Sequence, residues 1–188
     1  FNAFRTVTFE APKSNMVDEG GRLLSEVGDL FIAPVGWPAG TLDPGPGDLL
    51  RYPHPQTGQV KGDRGRVLIV GGGPYHGAPL LAGIAAARMG CDLVHVAMPK
   101  NAAARAKWPS ELIPEQIDDE DIISSVDKII ERCSTGRGVQ ALVIGPGMGD
   151  DEASLAAVNR LIEETPNIPK VIDADAIKAL NGWPKSLI

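Results

Sequence analysis

The stretch Arg66-Val-Leu-Ile-Val-Gly-Gly-Gly73 decides the fold of this chain. After the initial arginine it is a continuous apolar run, and it ends abruptly at three glycines. Such a run is typical of a strand that is covered on both faces, as in a parallel sheet. A helix is predicted over residues 79–89. Because this helix is apolar almost all round, we expect it to be buried.

The same order of strand, turn and helix continues along the chain. Further strands are predicted over residues 91–98, 141–144 and 170–173. Further helices are predicted over residues 118–133, 151–164 and 174–180. This alternation indicates parallel strands joined by right-handed crossovers, so the predicted fold class is α/β, a parallel sheet with crossover helices on both faces. Ligands of such sheets bind at the carboxyl ends of the strands.

The first loop at a predicted strand end is Gly71-Gly-Gly-Pro-Tyr-His-Gly-Ala-Pro79. It exposes backbone N–H groups at the start of a helix, which suits an anionic or polar ligand. It is not a dinucleotide fingerprint, since His76 stands where the third glycine belongs, and it lacks the Gly-Lys-Ser/Thr of a Walker A loop. A glycine-rich turn that only lets the helix pack closely on the strand stays open as an alternative.

Two more loops follow predicted strands. Glycines of Gly145-Pro-Gly-Met-Gly149 permit positive φ and a close approach of the backbone to a ligand, although a tight, well-capped turn is equally compatible. Asp150 or Asp151 is predicted to cap the next helix. The two carboxylates of Asp173-Ala-Asp175 could serve a metal, a hydroxyl or a helix cap. The run Asp118-Asp-Glu-Asp121 is predicted to be a solvated helix start, where the helix dipole favours acidic residues.

The composition limits the class of protein. With 18 Lys and Arg against 24 Asp and Glu, the formal charge is −6, which disfavours non-specific binding to nucleic acid or an anionic membrane. No apolar run approaches the roughly 20 residues of a membrane span. Cys91 and Cys133 lack metal-ligand spacing and are predicted to be two buried free thiols in a reducing compartment. We therefore expect a cytoplasmic enzyme.

The sequence also predicts a domain boundary. Six prolines and four glycines lie between Pro34 and Pro55, a density that excludes a helix or a central strand. Upstream, strands are predicted at residues 5–9 and 29–33, and two short strands cannot bury a core of their own. Residues 1–40 are interpreted as the tail of a larger domain with the start of a linker, or as an edge added to the next domain. Residues 41–188 are interpreted as part of a second domain.

Four motifs in this order resemble the ADP- or ATP-dependent NAD(P)H-hydrate dehydratase domain of the ribokinase-like superfamily. They are Lys61-Gly-Asp-Arg-Gly65, Gly77-Ala-Pro-Leu-Leu-Ala82, Gly145-Pro-Gly-Met-Gly149 and Asp173-Ala-Asp-Ala176. The resemblance covers residues 61–180 and the first half of that domain. Residues 1–36 resemble the closing strands of the NAD(P)H-hydrate epimerase domain, through Thr6-Val-Thr-Phe9 and Ala11-Pro-Lys13. That domain is often fused ahead of the dehydratase.

The resemblance implies a function in nicotinamide-nucleotide repair. The implied substrate is NADH or NADPH hydrated at C6, and the implied enzyme is a hydro-lyase that removes the hydroxyl as water with ADP or ATP and Mg²⁺. Ala78 and Gly147 match positions that contact the hydrated dinucleotide, Gly77 and Gly149 support those loops, and Asp173 borders the site. The resemblance places the catalytic Asp beyond residue 188, assigns no metal ligand here and implies a homo-oligomer.

Two alternatives stay open at this point. One is a ribokinase-like kinase of a vitamin precursor, which the Gly-Ala-Pro helix start and the Gly-Pro-Gly-Met-Gly loop fit less well than they fit the dehydratase. The other is a dinucleotide-binding module without catalytic activity. Either way, the two glycine loops are predicted to open at one edge of the sheet.

Overall fold

The computed structural model describes residues 4–9, 12–33, 52, 54–136 and 138–180. Its chain divides into two compact units, Phe1–His54 and Pro55–Ile188. The domain boundary predicted between residues 40 and 41, like most of the proline-rich segment, lies outside the described residues and stays a prediction. None of the helices among the described residues is long and apolar enough to cross a membrane.

The described part of the N-terminal unit contains the two predicted strands, β1 (Arg5–Phe9) and β2 (Asp29–Ala33). They pair in parallel, so they are not a hairpin. Two short 3₁₀ helices lie between them, Ser14–Met16 and Ser25–Val27. The Thr6 hydroxyl donates a hydrogen bond of 2.6 Å to the carbonyl of Val27, which ties the second 3₁₀ helix to β1.

One face of this small sheet carries three apolar side chains that are open to solvent, beside the ion pair of Arg5 and Asp29. In the parallel register Val7 lies beside Phe31, and Phe9 lies on the same face. These three side chains are 57%, 58% and 59% exposed, whereas Thr8 on the opposite face is buried. Because polar residues normally take the solvent face of a strand, the reversed pattern indicates a face suited to contact with other protein.

The C-terminal unit is built on five parallel strands, which confirms the predicted fold class. Their spatial order is β5-β4-β3-β6-β7. The strands are β3 (Arg66–Val70), β4 (Leu93–Met98), β5 (Leu112–Gln116), β6 (Ala141–Ile144) and β7 (Lys170–Ile172). As its apolar run predicts, β3 is central, and Leu68, Ile69 and Val70 have no exposed surface. The strand β5 is an element that the sequence analysis does not predict.

Helices cover this sheet on both faces. They are α1 (Gly77–Arg88), α2 (Lys100–Arg105), α3 (Asp127–Ser134), α4 (Glu152–Glu164) and a 3₁₀ helix (Ala174–Leu180). On one face Ile69 and its neighbours pack with α1 and α2. On the other face Leu68 and Val70 pack with α3, α4 and the 3₁₀ helix. Alternate residues of β3 thus reach two separate apolar cores, as expected of a central strand.

The helix predicted over residues 118–133 is wrong in its first half, since α3 begins only at Asp127. The carboxylate of Asp119 accepts hydrogen bonds from the backbone N–H groups of Ser124 at 3.1 Å and Ser125 at 3.0 Å. Short acidic side chains compete with helical hydrogen bonds in this way. The acidic run is therefore part of the loop after β5 and not a helix start.

Three further predictions need correction. Although the helix predicted over residues 79–89 is apolar almost all round, Leu81 in α1 and Met89 just after it are 69% and 64% exposed, because only one side of the helix faces the sheet. The segment predicted as the last helix is a 3₁₀ helix. Both thiols are free, but only Cys133 is buried and Cys91 is half-buried. Burial raises the pKa of both thiols.

A polar cluster connects β4, β5 and α3 inside this unit. The buried His95 has its Nδ1 2.6 Å from Oε1 of Glu115, and Nη2 of Arg132 lies 3.0 Å from its Nε2. Nε of Arg132 donates to the same Glu115 oxygen at 2.9 Å. Burial, followed by the positive charge of Arg132, lowers the pKa of His95 despite the opposing effect of Glu115.

Candidate functional site

The strand order places a topological switch point between β3 and β6. From β3 the chain proceeds outward to β4 and β5, then crosses back to β6, which pairs with the other side of β3. The helices that follow β3 and β6 lie on opposite faces of the sheet. Ligands of open α/β sheets bind in the crevice that such a divergence leaves outside the strand ends.

Both predicted glycine loops lie at this switch point. Residues 71–76 follow β3 and residues 145–149 follow β6, and because the two strands are parallel neighbours, both loops are at the same edge. The prediction that the glycine loops open at one edge of the sheet is therefore confirmed.

The two loops are joined by backbone hydrogen bonds. The N–H of Gly72 donates to the carbonyl of Pro146 at 2.9 Å, and the N–H of Tyr75 donates to the carbonyl of Gly147 at 3.3 Å. The main chain of each loop is thus held in place by the other. Such a surface can come close to a ligand without displacing side chains.

Gly147 is constrained by the protein itself. Its φ is +68°, and a Cβ at this position would collide with the carbonyl oxygen of Tyr75. In the same way, a Cβ at Gly71 would collide with the carbonyl oxygen of Pro146. The glycines at these positions are required for the contact between the loops, independently of any ligand.

The predicted residues Gly77, Ala78 and Gly149 lie around the same crevice. Gly149 has a φ of +79°, and a Cβ there would lie 3.2 Å from Cγ of Pro74 in the first loop. Gly77 begins α1 and is exposed, and a Cβ there would meet nothing within 4 Å. The half-buried Ala78 follows it. Packing within the described residues gives no reason for a glycine at position 77.

Asp173 lies next to the second loop, at the end of β7. Its N–H donates to the carbonyl of Ile144 at 2.9 Å, and a Cβ at Gly145 would collide with its carbonyl oxygen. Its side chain is exposed at the candidate edge. The next residue, Ala174, has a φ of +50° and is the one non-glycine position with positive φ among the described residues. Backbone strain of this kind is common where a site needs a particular geometry.

The remaining carboxylates at this edge have identified partners. Asp151 is the cap of α4 and accepts from the N–H of Ala153 at 2.9 Å, which settles the choice between Asp150 and Asp151. Lys178 contacts Asp150 at 2.6 Å and Asp175 at 3.0 Å. The hydrogen bond and positive charge of Lys178 lower the pKa of the Asp150 carboxyl. Of the three roles that the sequence left open for Asp173 and Asp175, the structure gives Asp175 none directly and pairs it with Lys178 instead.

The described part of the chain contains no group of three or more His, Cys, Asp or Glu side chains arranged to hold a metal ion. Mg²⁺ commonly binds proteins through one or two carboxylates together with the phosphates of a substrate. The exposed carboxylate of Asp173 is compatible with that mode, whereas a complete protein cage is not formed by these residues.

The family profile described as NAD(P)H-hydrate dehydratase matches residues 67–185. This chain belongs to the NAD(P)H-hydrate dehydratase family. It is 36% identical, over 94% of its length, to the bifunctional NAD(P)H-hydrate repair enzyme Nnr of Pyrobaculum aerophilum, of which it covers 36%. It is 40% identical, over 62% of its length, to the ATP-dependent (S)-NAD(P)H-hydrate dehydratase of Rattus norvegicus, of which it covers 34%. The chain therefore spans about a third of the length of these curated relatives.

A solved structure supports the ribokinase-like fold of this family member. A ribokinase-like superfamily protein of Enterococcus faecalis superposes with a TM-score of 0.52 at 20% identity. The superposition covers 68% of this chain and 43% of that protein. At this level of identity the comparison concerns the fold alone.

One motif of the NAD(P)H-hydrate dehydratase resemblance lies at the other end of the sheet. Lys61-Gly-Asp-Arg-Gly65 precedes β3, and there Asp92 accepts hydrogen bonds from the N–H groups of Gly62 at 2.9 Å and Arg64 at 3.1 Å. The Arg64 guanidinium donates to the same carboxylate at 2.7 Å. These backbone hydrogen bonds lower the pKa of Asp92. The motif thus joins β3 to β4 structurally, away from the crevice.

Sequence reasoning misses two residues that contact the first glycine loop. Met148 is buried, and its carbonyl oxygen would lie 3.0 Å from a Cβ on Gly73. Arg105 donates from Nη2 to the carbonyl of Gly73 at 3.0 Å. The glycines around Met148 were an available signal for the first residue. No sequence signal points to Arg105, because the short helix α2 has no pattern from which its position could be predicted.

Proposed function

We propose that the protein containing this chain restores NADH or NADPH that has been hydrated at C6 of the nicotinamide ring. The observation behind this proposal is the pair of glycine loops that meet at the switch point between β3 and β6. Both loops lie inside the segment that matches the family profile. The names of these relatives include hydrated NAD(P)H, and we propose the same substrate here.

The crevice suits such a substrate in shape and polarity. The small residues Gly77 and Ala78 leave room for the hydrated ring to approach the main chain, and the first N–H groups of α1 carry partial positive charge that favours phosphate or hydroxyl groups. In this proposal Ala78 and Gly147 contact the hydrated dinucleotide, Gly77 and Gly149 support the loops, and Asp173 borders the site. The tasks of these residues are binding and orientation.

The proposed reaction is an elimination driven by a nucleotide. ATP or ADP phosphorylates the C6 hydroxyl, the C6–O bond breaks as phosphate leaves, and loss of a proton from C5 restores the C5=C6 double bond. Mg²⁺ would neutralise charge on the transferred phosphoryl group. The use of ATP agrees with the name of the rat relative, which is an ATP-dependent dehydratase, whereas ADP and Mg²⁺ are proposals that rest on the family resemblance. The acid or base of the chemistry is expected outside residues 1–188.

We further propose that residues 1–40 are the closing part of an epimerase domain, fused to the dehydratase domain that begins at residue 41. The match to a bifunctional relative extends over 94% of this chain and so includes most of this part. The exposed apolar face formed by Val7, Phe9 and Phe31 supports the proposal, because the body of such a domain would cover it. Cytoplasmic localisation and a homo-oligomer complete the proposal.

The test uses the full-length protein and chemically hydrated NADH. Return of the absorbance of reduced nicotinamide is followed with ATP, with ADP and without nucleotide. Restoration that requires a nucleotide supports the proposal. A small-molecule kinase or a binding module would leave hydrated NADH unchanged with either nucleotide, and that result would overturn it.

A further inference from the structure

The guanidinium of Arg105 lies beside the first glycine loop, at the carboxyl ends of the parallel strands. It is the last residue of α2, which follows β4, the strand next to β3. Its Nη2 donates to the carbonyl of Gly73, the third glycine of the first loop, at 3.0 Å. The side chain is otherwise exposed. Since a guanidinium has five N–H donors, this single bond leaves most of them available.

The positive charge of Arg105 is not compensated by an acidic side chain within the described residues, whereas other basic side chains of this edge are paired. Lys100 contacts Glu120 at 2.7 Å, and Lys178 contacts Asp150 at 2.6 Å. The partner of Arg105 is a carbonyl oxygen, which accepts a hydrogen bond but leaves the net charge in place.

An uncompensated cation at this position needs an explanation, because the edge as a whole is acidic. Asp118-Asp-Glu-Asp121 lies in the loop after β5, and Asp173 has an exposed carboxylate at the end of β7. A ligand that carries several negative charges would be repelled here unless a cation received it. Guanidinium is the side chain best matched to phosphate, since its parallel donors bind two oxygens at once.

We propose that Arg105 binds a phosphate group of the hydrated dinucleotide and thereby orients the substrate against the first glycine loop. The inference rests on the proposed function, which supplies the dinucleotide. The carbonyl of Gly73 holds one edge of the guanidinium, and the free donors bind phosphate oxygens. A purely structural role is the competing explanation, in which Arg105 only holds Gly73 in place.

The experiment compares Arg105→Gln, Arg105→Lys and the control Arg88→Gln in the full-length protein. Arg88 ends α1 at the opposite edge of the sheet, is exposed and has no acidic partner among the described residues. We expect Arg105→Gln to raise KM for hydrated NADH and NADPH by roughly tenfold to a hundredfold, with little change in kcat or in KM for ATP. Arg105→Lys should show a smaller rise, and Arg88→Gln none. Equal rises for both dinucleotides identify the pyrophosphate, and a rise confined to hydrated NADPH identifies its 2′-phosphate.

Several outcomes would overturn the inference. They are an unchanged KM in Arg105→Gln, a rise no larger than in Arg88→Gln, and a rise in KM for ATP instead of the dinucleotide. A lower thermal midpoint with unchanged KM would show the structural role. If the wild-type protein restores no hydrated NADH, the proposed function fails, and calorimetry with inorganic pyrophosphate then decides. If pyrophosphate binds Arg105→Gln more weakly than it binds the wild type and Arg88→Gln, Arg105 is still a phosphate-binding residue although its ligand is not the hydrated dinucleotide. Equal binding to all three proteins rejects the phosphate-binding role as well.

Discussion

Replacing Gly147 by alanine tests whether the contact between the two glycine loops holds the candidate site together. The added Cβ has two consequences in the structure. It places a side chain on a residue with a φ of +68°, and it collides with the carbonyl oxygen of Tyr75. Because that oxygen belongs to the main chain, no change of rotamer relieves the collision, and the loops must separate.

The expected cost follows from these two effects. An L-residue in the left-handed region costs about 1–2 kcal/mol. Separation of the loops breaks the Gly72–Pro146 and Tyr75–Gly147 hydrogen bonds, each worth about 1 kcal/mol. We therefore expect Gly147→Ala to lower the free energy of unfolding of the C-terminal unit by about 3–4 kcal/mol. The dehydration of hydrated NADH should be lost with it.

Gly77→Ala is the matched control in the same crevice. Here the new Cβ meets nothing within 4 Å, and the residue lies in a helix, where alanine is favoured. We expect its stability to equal or slightly exceed that of the wild type. A rise in KM for hydrated NADH in this variant would then report the approach of the ligand alone.

The measurement is urea unfolding of the full-length proteins, followed by circular dichroism, together with dehydration kinetics. If Gly147→Ala unfolds at the wild-type urea concentration, the collision with Tyr75 does not occur, and the account of the joined loops is wrong.

Three further predictions concern other parts of the C-terminal unit. Ala78→Val should raise KM for hydrated NADH and NADPH strongly while KM for ATP changes little, and steady-state kinetics that show an unchanged dinucleotide KM would remove Ala78 from the site. Burial and Arg132 lower the pKa of His95 in the folded state. At pH values between that lowered pKa and the ordinary histidine pKa of about 6.5, the unfolded chain therefore binds a proton that the folded chain does not. The free energy of unfolding should therefore fall as the pH drops through this window. Urea midpoints measured at several pH values should fall less in His95→Gln than in the wild type, and an equal fall in both proteins would show that His95 is not the group responsible. Asp92→Ala removes the acceptor of the Arg64 hydrogen bonds and should lower the urea midpoint while KM for hydrated NADH stays the same, whereas a changed KM would place this motif in the site.

The central part of the fold could be predicted because its signals are local. The apolar run ending at Gly71 places β3 at the centre of a sheet, and parallel strands bring successive strand ends to one edge. The edge strand β5 could not be predicted, because Leu-Ile-Pro-Glu-Gln has only two apolar residues and a proline at position 114. An edge strand has a neighbour on one side alone, so it tolerates a residue without an N–H donor.

The site was predictable to the level of its loops but not of its contacts. Glycine content marked residues 71–77 and 145–149, yet the reason for Gly147 is the carbonyl of Tyr75, and that pairing exists only once β6 lies beside β3. The same holds for Arg105, whose contact with Gly73 depends on the path of α2. For helix α1 the sequence predicts too much burial, because an apolar sequence does not show which of its sides is covered by the rest of the protein.

The pairing of β6 with β3 also determines when the crevice can form during folding. Tyr75 and Gly147 are about 70 residues apart in the sequence, and the whole of β4, β5 and α3 lies between them. Closing a loop of this length is entropically costly, and contacts of such high sequence separation form slowly. Because synthesis runs from the N-terminus, the first glycine loop also leaves the ribosome well before the segment that completes the crevice. Affinity for a ligand should therefore appear late in folding, in a single step, when β6 pairs with β3.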